Sequence, residues 1–408
     1  MSPPRHPPRP HPLARARWVD RLDTGLNRAW DNGWLPRVPL DADELLARAF
    51  KGYDTADLAA GRADDDVADF TQRLHRLCAS VKSEAKLNAV GHAFAYGLLS
   101  RAIHQRLALG AVWRKQPQLV VTQIAPPIIV VGQMRSGTTR IHRLLASDPA
   151  HSATRFCDSW HAVPARPDIR PLIGGVALAA ARMLDPWIDA LHPFGAARAD
   201  EELGWLACAL SHCAYEAQWH IPSYTAFSEA RDPAPIYREF ARILRTDAAH
   251  HGSAAKPRIL KVPQFTEDLD ALLGELPHAK IIVSRRSDDD TLKSSVSLVA
   301  NQMAIQSDDV SLERIEQEWR RKIALRESRV SRSLANYAGP VAELDFDRLG
   351  HNWVEEITRL YKTLGLRLTK QALAAMHKEQ SANSRSAHHQ HGPQLASFGD
   401  RSTSGPPH

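Results

Sequence analysis

The stretch IIVVGQMRSGTTRIHRLLASDP, from Ile128 to Pro149, restricts the fold more than any other part of the chain. Its first residues are β-branched and apolar without polar alternation, the pattern of a strand covered on both faces, as in a parallel sheet. Gly132 and Gly137 then bound a short turn. The text after it places Ile141, Leu144 and Leu145 on one side and stops at Asp148-Pro149, as a helix does. Strand, tight turn and helix in that order aim successive backbone N–H groups into one cup at a helix N-terminus, where an anion binds.

The two glycines have the spacing of the GxxxxGK[ST] phosphate loop, but Thr138 stands where the lysine belongs. A kinase or ATPase without that lysine loses its main charge contact to the β and γ phosphates. Arg135, inside the turn, supplies a cation instead. Ser136, Thr138 and Thr139 add hydroxyl donors, so the turn can hold one phosphate and an anionic group attached to it.

Further strands alternate with helices along the chain. Arg258 to Val262 reads as a strand, with FTEDLDALLGELP as the helix behind it; AKIIVSRR reads as another, followed by the helical TLKSSVSLVANQM. VAELDFDRL suggests one more strand and EITRLYKTLGL a helix ending at Gly365. Such alternation predicts an α/β fold, a three-layer sandwich around a central, mostly parallel sheet resembling that of the P-loop proteins. Ahead of it, LDADELLARAF and VADFTQRLHRL have helical periodicity, which predicts a helical N-terminal layer. The expected organisation is a disordered tail over 1–16, a helical region over 17–125, and the α/β domain over 126–378 with a helical insertion at about 157–250. A C-terminal segment and tail, 379–408, complete it.

Composition removes several classes. Hydrophobic residues at 43% and charged residues at 24% are ordinary for a globular protein. The net charge of +6 suits an anionic ligand but is too small and too evenly spread to indicate nucleic acid. The N-terminal text has no apolar run of a secretory signal, and the most apolar stretch, Leu172 to Leu184, is interrupted by Arg182 and well short of the ~20 residues of a membrane span. A cytoplasmic protein without an integral membrane segment is expected. Cys78, Cys157, Cys208 and Cys213 show no metal-ligand spacing and read as buried thiols. The triplets Asp64 to Asp66 and Asp288 to Asp290 read as solvated acidic loops rather than metal ligands, and no metal is expected.

VVGQMRSGTTRIHRLLASDP resembles the 5′-phosphosulfate loop of the sulfotransferases that use 3′-phosphoadenosine 5′-phosphosulfate (PAPS), in the bacterial branch whose loop reads PRSGTT; Met134 stands in place of the proline. A second likeness lies in AKIIVSRRSDDDTLKSSVSL, where the family's strand-end arginine and the serine eight residues later fall on Arg286 and Ser294. By resemblance these two bind the 3′-phosphate. This branch usually reads HRDP where the present chain has RRSD. DEELGWLACAL, RILKVPQFTEDLDALLGELPHAKII and, faintly, HHQHGPQLASFGD extend the similarity over roughly 125–400.

The resemblance implies sulfuryl transfer from PAPS to a hydroxyl or amine of a small-molecule, lipid or glycan acceptor. It implies that Arg135, Ser136, Gly137, Thr138, Thr139, Arg286 and Ser294 bind the donor, and that Arg135 and Lys261 stabilise charge during transfer. Animal cytosolic members carry a catalytic histidine two residues after such a lysine, where Pro263 stands here. Others use a glutamate soon after the loop, and the corresponding place is Asp158, the first candidate for the base. Glu201 and Glu202 are its rivals; His192 and His212 are weaker ones. His388, His389 and His391 could touch a metal or the 3′-phosphate. Two other readings stay open, a P-loop kinase or NTPase using Arg135, and an inactive nucleotide-binding scaffold protein.

Overall fold

The computed structural model describes residues 9–383. Five strands, β1 (Ile128–Gly132), β2 (Ser152–Ala153), β3 (Arg258–Lys261), β4 (Lys280–Arg285) and β5 (Val341–Asp345), form one sheet in the order β2-β3-β1-β4-β5. Every pairing in it is parallel; Ile128 lies opposite both Ile259 and Lys280, and Ser284 opposite Leu344. The chain lays β2 and β3 on one side of β1, then crosses to lay β4 and β5 on the other. This reversal of direction opens a crevice at the carboxyl ends of β1 and β4, the usual ligand position in an open α/β sheet.

Alternate residues of each central strand enter different cores. Ile129, Val131, Leu260, Ile281 and Val283 pack with Trp113, Trp205, Phe240 and Phe265 on one face. Ile128, Val130, Ile259, Ile282 and Leu344 pack with Ile141, Leu145 and Leu360 on the other. All of these are buried, and each contributes roughly 1.5–3 kcal/mol relative to exposure. That double burial explains why the strands read as unbroken apolar runs. Helices Ala42–Ala49, Asp64–Glu84 and Ala89–Lys115 form the expected N-terminal layer around Phe70, Leu74, Leu99 and Ile103, and Trp219 and Tyr224 from the insertion join that core.

Several expectations need correction. Residues from 9 onward are not a loose tail: Arg9 is buried, and its Nη1 donates to Ser297 O and Oγ at 3.2 Å. The acidic triplets are first turns of helices Asp64–Glu84 and Asp288–Gln306, where the helix dipole favours carboxylates. Asp66 is buried between Arg238 and Arg242 rather than solvated. FTEDLDALLGELP is not one helix, because Pro263–Thr266 forms a 3₁₀ turn and the helix starts only at Leu269. The last described helix, Lys370–Asn383, runs past the expected boundary at 378. All four cysteines are buried and free. His388, His389 and His391 lie outside the described residues.

Candidate active site

The turn after β1 is held from several directions. Ser136 N and Oγ both donate to Gln133 O, at 3.1 and 2.7 Å, and Ser284 Oγ at the end of β4 donates to Ser136 O at 2.6 Å. Gly137 has φ +88°, and a side chain there would collide with Phe346. Arg135 is also left-handed, at φ +71°, a conformation a non-glycine residue adopts at a cost of about 1–3 kcal/mol. The backbone therefore curls tightly enough to leave its N–H groups at the start of helix Thr138–Ala146.

The cations gather at this turn. Arg135 Nε donates to Ser294 Oγ at 2.9 Å and its Nη1 to Leu191 O at 2.6 Å. Burial, followed by repulsion from Arg286, lowers the Arg135 guanidinium to about 10, against a raising influence of Glu201. Arg286 Nη1 donates to Arg135 O at 2.9 Å, and its guanidinium lies 4.7 Å from the centre of the Phe346 ring. Arg135, Arg286 and Ser294, far apart in sequence, thus meet in one place. Arg285, one residue earlier, pairs with Glu327 and Glu343.

A cavity of about 240 Å³ adjoins these groups, lined among others by Gly132, Gln133, Ser284, Arg286, Glu327 and Val330. The buried Oε1 of Gln133 has no hydrogen-bond partner. An unpaired acceptor beside arginines suits a ligand that carries both anionic groups and N–H donors.

Lys261, at the end of β3, is fully buried. Its ammonium donates to Thr139 Oγ1 at 3.1 Å and is paired with Glu201. Glu201 is in turn fixed by Asp200, whose Oδ1 accepts the Glu201 N–H at 2.8 Å and lies 3.1 Å from His192 Nε2. Burial opposes ionisation of Asp200, but His192 and then Arg143 hold its carboxyl well below the usual range. Phe194 packs on the His192 ring at 4.3 Å. The segment carrying these groups is tied to the loop helix, since Arg143 Nη2 donates to Pro193 O at 2.6 Å.

Asp158 is placed elsewhere. It is buried, with Arg155 Nε at 2.6 Å, Arg170 Nη2 at 3.2 Å and His251 Nε2 at 3.4 Å from its oxygens. Burial raises its proton affinity, yet hydrogen bonds from Arg155 and His251 prevail and hold it well below the ordinary carboxylate range. A carboxylate so committed is an ion-pair partner of Arg155, Arg170 and His251. Glu202 caps the end of β3, accepting the Lys261 N–H at 2.9 Å, and complete burial pushes it up to about 8. His212 is buried in another network, bonded to Ser228 Oγ at 2.9 Å and near Glu267 Oε2 at 3.0 Å. The Lys261–Glu201–Thr139 contact was legible only as separate candidates; nothing in their spacing links residues 139, 201 and 261.

A parallel sheet with a glycine-bounded turn after its central strand, and cations at the ends of both neighbouring strands, defines a P-loop-like α/β protein. Within that class the chain belongs to the sulfotransferase family, whose model matches residues 126–370. It resembles sulfotransferase STF1 from Mycobacterium tuberculosis H37Rv at 26% identity, covering 82% of this chain and 92% of that one, with a TM-score of 0.73. Sulfotransferase STF9 from Mycobacterium avium shares the fold with a TM-score of 0.74 at 18% identity, over 85% of this chain and 89% of that one. No curated protein matches it in sequence.

Proposed function

We propose that the protein transfers a sulfuryl group from PAPS to a hydroxyl or amine of an acceptor, with Glu201 as the general base. The observation that carries this reading is the Lys261 ammonium, which joins Thr139 of the anion-binding turn to the Glu201 carboxylate. Donor grip and proton acceptor thereby converge on one point.

On this reading the N–H groups of the turn, with Ser136, Thr138 and Thr139, bind the 5′-phosphate. Arg286 and Ser294 bind the 3′-phosphate, and Arg135 lies between the two. The acceptor oxygen or nitrogen forms a bond to sulfur while the bond from sulfur to the bridging oxygen of the 5′-phosphate breaks. Adenosine 3′,5′-bisphosphate leaves, and the acceptor proton passes to Glu201. Arg135 and Lys261 supply fixed positive charge where negative charge grows on the bridging oxygen, the kind of preorganised stabilisation that water cannot match. Glu201 replaces Asp158 as first choice because Asp158 is held by Arg155, Arg170 and His251. Asp200, bonded to His192, accepts the Glu201 N–H and so fixes the position of Glu201.

Two measurements test the proposal. Calorimetric titration should show tight, metal-independent binding of adenosine 3′,5′-bisphosphate; a preference for ATP with Mg²⁺ would transfer the site to phosphoryl chemistry. Transfer of radiolabelled sulfate from PAPS to a panel of hydroxyl and amine acceptors should fall at least ~100-fold in Glu201→Gln, with bisphosphate affinity retained. Full activity of Glu201→Gln would remove the base assignment.

A further inference from the structure

Ten large apolar side chains are exposed among the described residues, and five of them, Ile169, Leu172, Ile173, Val176 and Met183, lie on or next to the single helix Arg170–Leu184. Such concentration is not the scattered exposure that any soluble surface shows. Leu172 is 71% exposed, and Val176 and Met183 are each 65% exposed. Ala179 and Ala180 extend the strip, and no charged residue interrupts it between Arg170 and Arg182.

The other side of the same helix is buried through Gly174 and Leu178, and Gly174 packs on Cys157 and Ala196. Ala196 belongs to the segment that carries His192 and Glu201. The helix thus packs with its buried side on that segment and leaves its apolar strip outward.

We infer that helix Arg170–Leu184 docks on an anionic lipid bilayer, lying in the interface with its apolar strip in the acyl boundary. Three observations select this occupant over a second copy of the chain. The strip is one face of a single 15-residue helix, short of the ~20–30 residues per partner of a stable protein interface. Cations stand at both ends: Arg166 is exposed before the helix, and at the other end Trp18 donates its indole N–H to Met183 O, bringing exposed Arg17 and Arg21 alongside. An antiparallel pair of copies would face cation to cation, whereas anionic headgroups complement both ends. The nearby acids are already neutralised, Asp168 by Arg155 and Arg170, Asp189 by Arg182 and Asp20 by Arg15. No helix among the described residues is long and apolar enough to cross a membrane, so the contact is peripheral. The docking does not rest on the sulfuryl-transfer reading.

The test is flotation of the full chain with vesicles of phosphatidylcholine, with and without 30% phosphatidylglycerol, at physiological salt. Binding to the anionic vesicles is expected, reduced at least tenfold by Leu172→Glu/Val176→Glu and weakened by added salt. The milder Leu172→Ser/Val176→Ser should give an intermediate loss, and both variants should retain wild-type bisphosphate affinity, which shows that they fold. Absence of vesicle binding, binding indifferent to these substitutions, or a wild-type dimer that the substitutions dissociate would each overturn the inference. Failure of the bisphosphate titration with vesicle binding intact would instead refute the sulfuryl-transfer reading alone.

Discussion

Gly137→Ala probes the anion-binding turn with an internal control. Gly137 has φ +88°, and a Cβ there would come within 2.2 Å of Phe346 Cδ2 and 2.7 Å of Cε2. Gly365, past the end of helix Trp353–Thr363, has φ +61° with nothing within 4 Å of its Cβ position. Both substitutions carry the left-handed backbone penalty of about 1–2 kcal/mol. Only Gly137→Ala must also push Phe346 aside, and Phe346 is the surface under the Arg286 guanidinium. Loss of that stacking adds roughly 0.5–1 kcal/mol, for a total of ~1.5–3 kcal/mol against ~1–2 for the control. On the proposed reading, a displaced Arg286 and a distorted turn weaken a charge-assisted contact of ~1.5–3 kcal/mol, or roughly 10- to 150-fold in affinity. Urea denaturation gives the first quantity and calorimetric titration with adenosine 3′,5′-bisphosphate the second. Gly365→Ala should bind as wild type. Equal stability loss and equal affinity in the two variants would refute the claim that the turn and Arg286 are mechanically joined through Phe346.

Further predictions concern the buried charges. Lys322 lies 2.6 Å from Glu267, 2.9 Å from Glu229 and 3.0 Å from Glu216, and is fully buried; Lys322→Met should cost ~3–5 kcal/mol in urea denaturation, and adding Glu267→Gln should recover part of it. Hydrogen bonds to Asp158 and Asp247, against burial, raise His251 to about 9. Because this lies above its ordinary value near 6.5, the stabilisation is complete below that pH and disappears as pH rises through 9. His251→Gln should therefore lower stability at pH 6, by on the order of 1 kcal/mol for a partly exposed pair, and match wild type at pH 10. Asp158→Asn should destabilise the protein while leaving bisphosphate affinity unchanged, measured by the same two methods.

The parts of the fold legible in the sequence were those governed by short-range pattern. β1, β3 and β4 announce themselves because both faces of each are buried, and the turn between Gly132 and Gly137 because its conformation demands glycine at 137. β2 could not be read, since two residues on a sheet edge need no apolar run. Arg9 shows the opposite failure: a Pro- and Arg-rich text looks disordered unless the groove beside Ser297 is known. For the candidate site, the glycine-bounded turn was local and visible, whereas sequence alone ranked Asp158 ahead of Glu201 as the candidate base. Asp158 has the right distance along the chain from the loop, but Arg155 and Arg170 capture it. Glu201 reaches Lys261 through an insertion whose path no periodicity encodes.

The position of that insertion has a consequence for how such a protein diversifies. The chain leaves the sheet after β2, at its outer edge, and returns at β3, while the groups proposed to bind phosphate come from β1, β4 and the helices behind them. Exchange or remodelling of the intervening hundred or so residues can therefore alter what approaches Glu201 without disturbing the register of β1 on β4. On the proposed reading, choice of acceptor and possession of the donor can then vary separately, the insertion meeting the turn through Lys261–Glu201, Arg135–Leu191 and Arg143–Pro193.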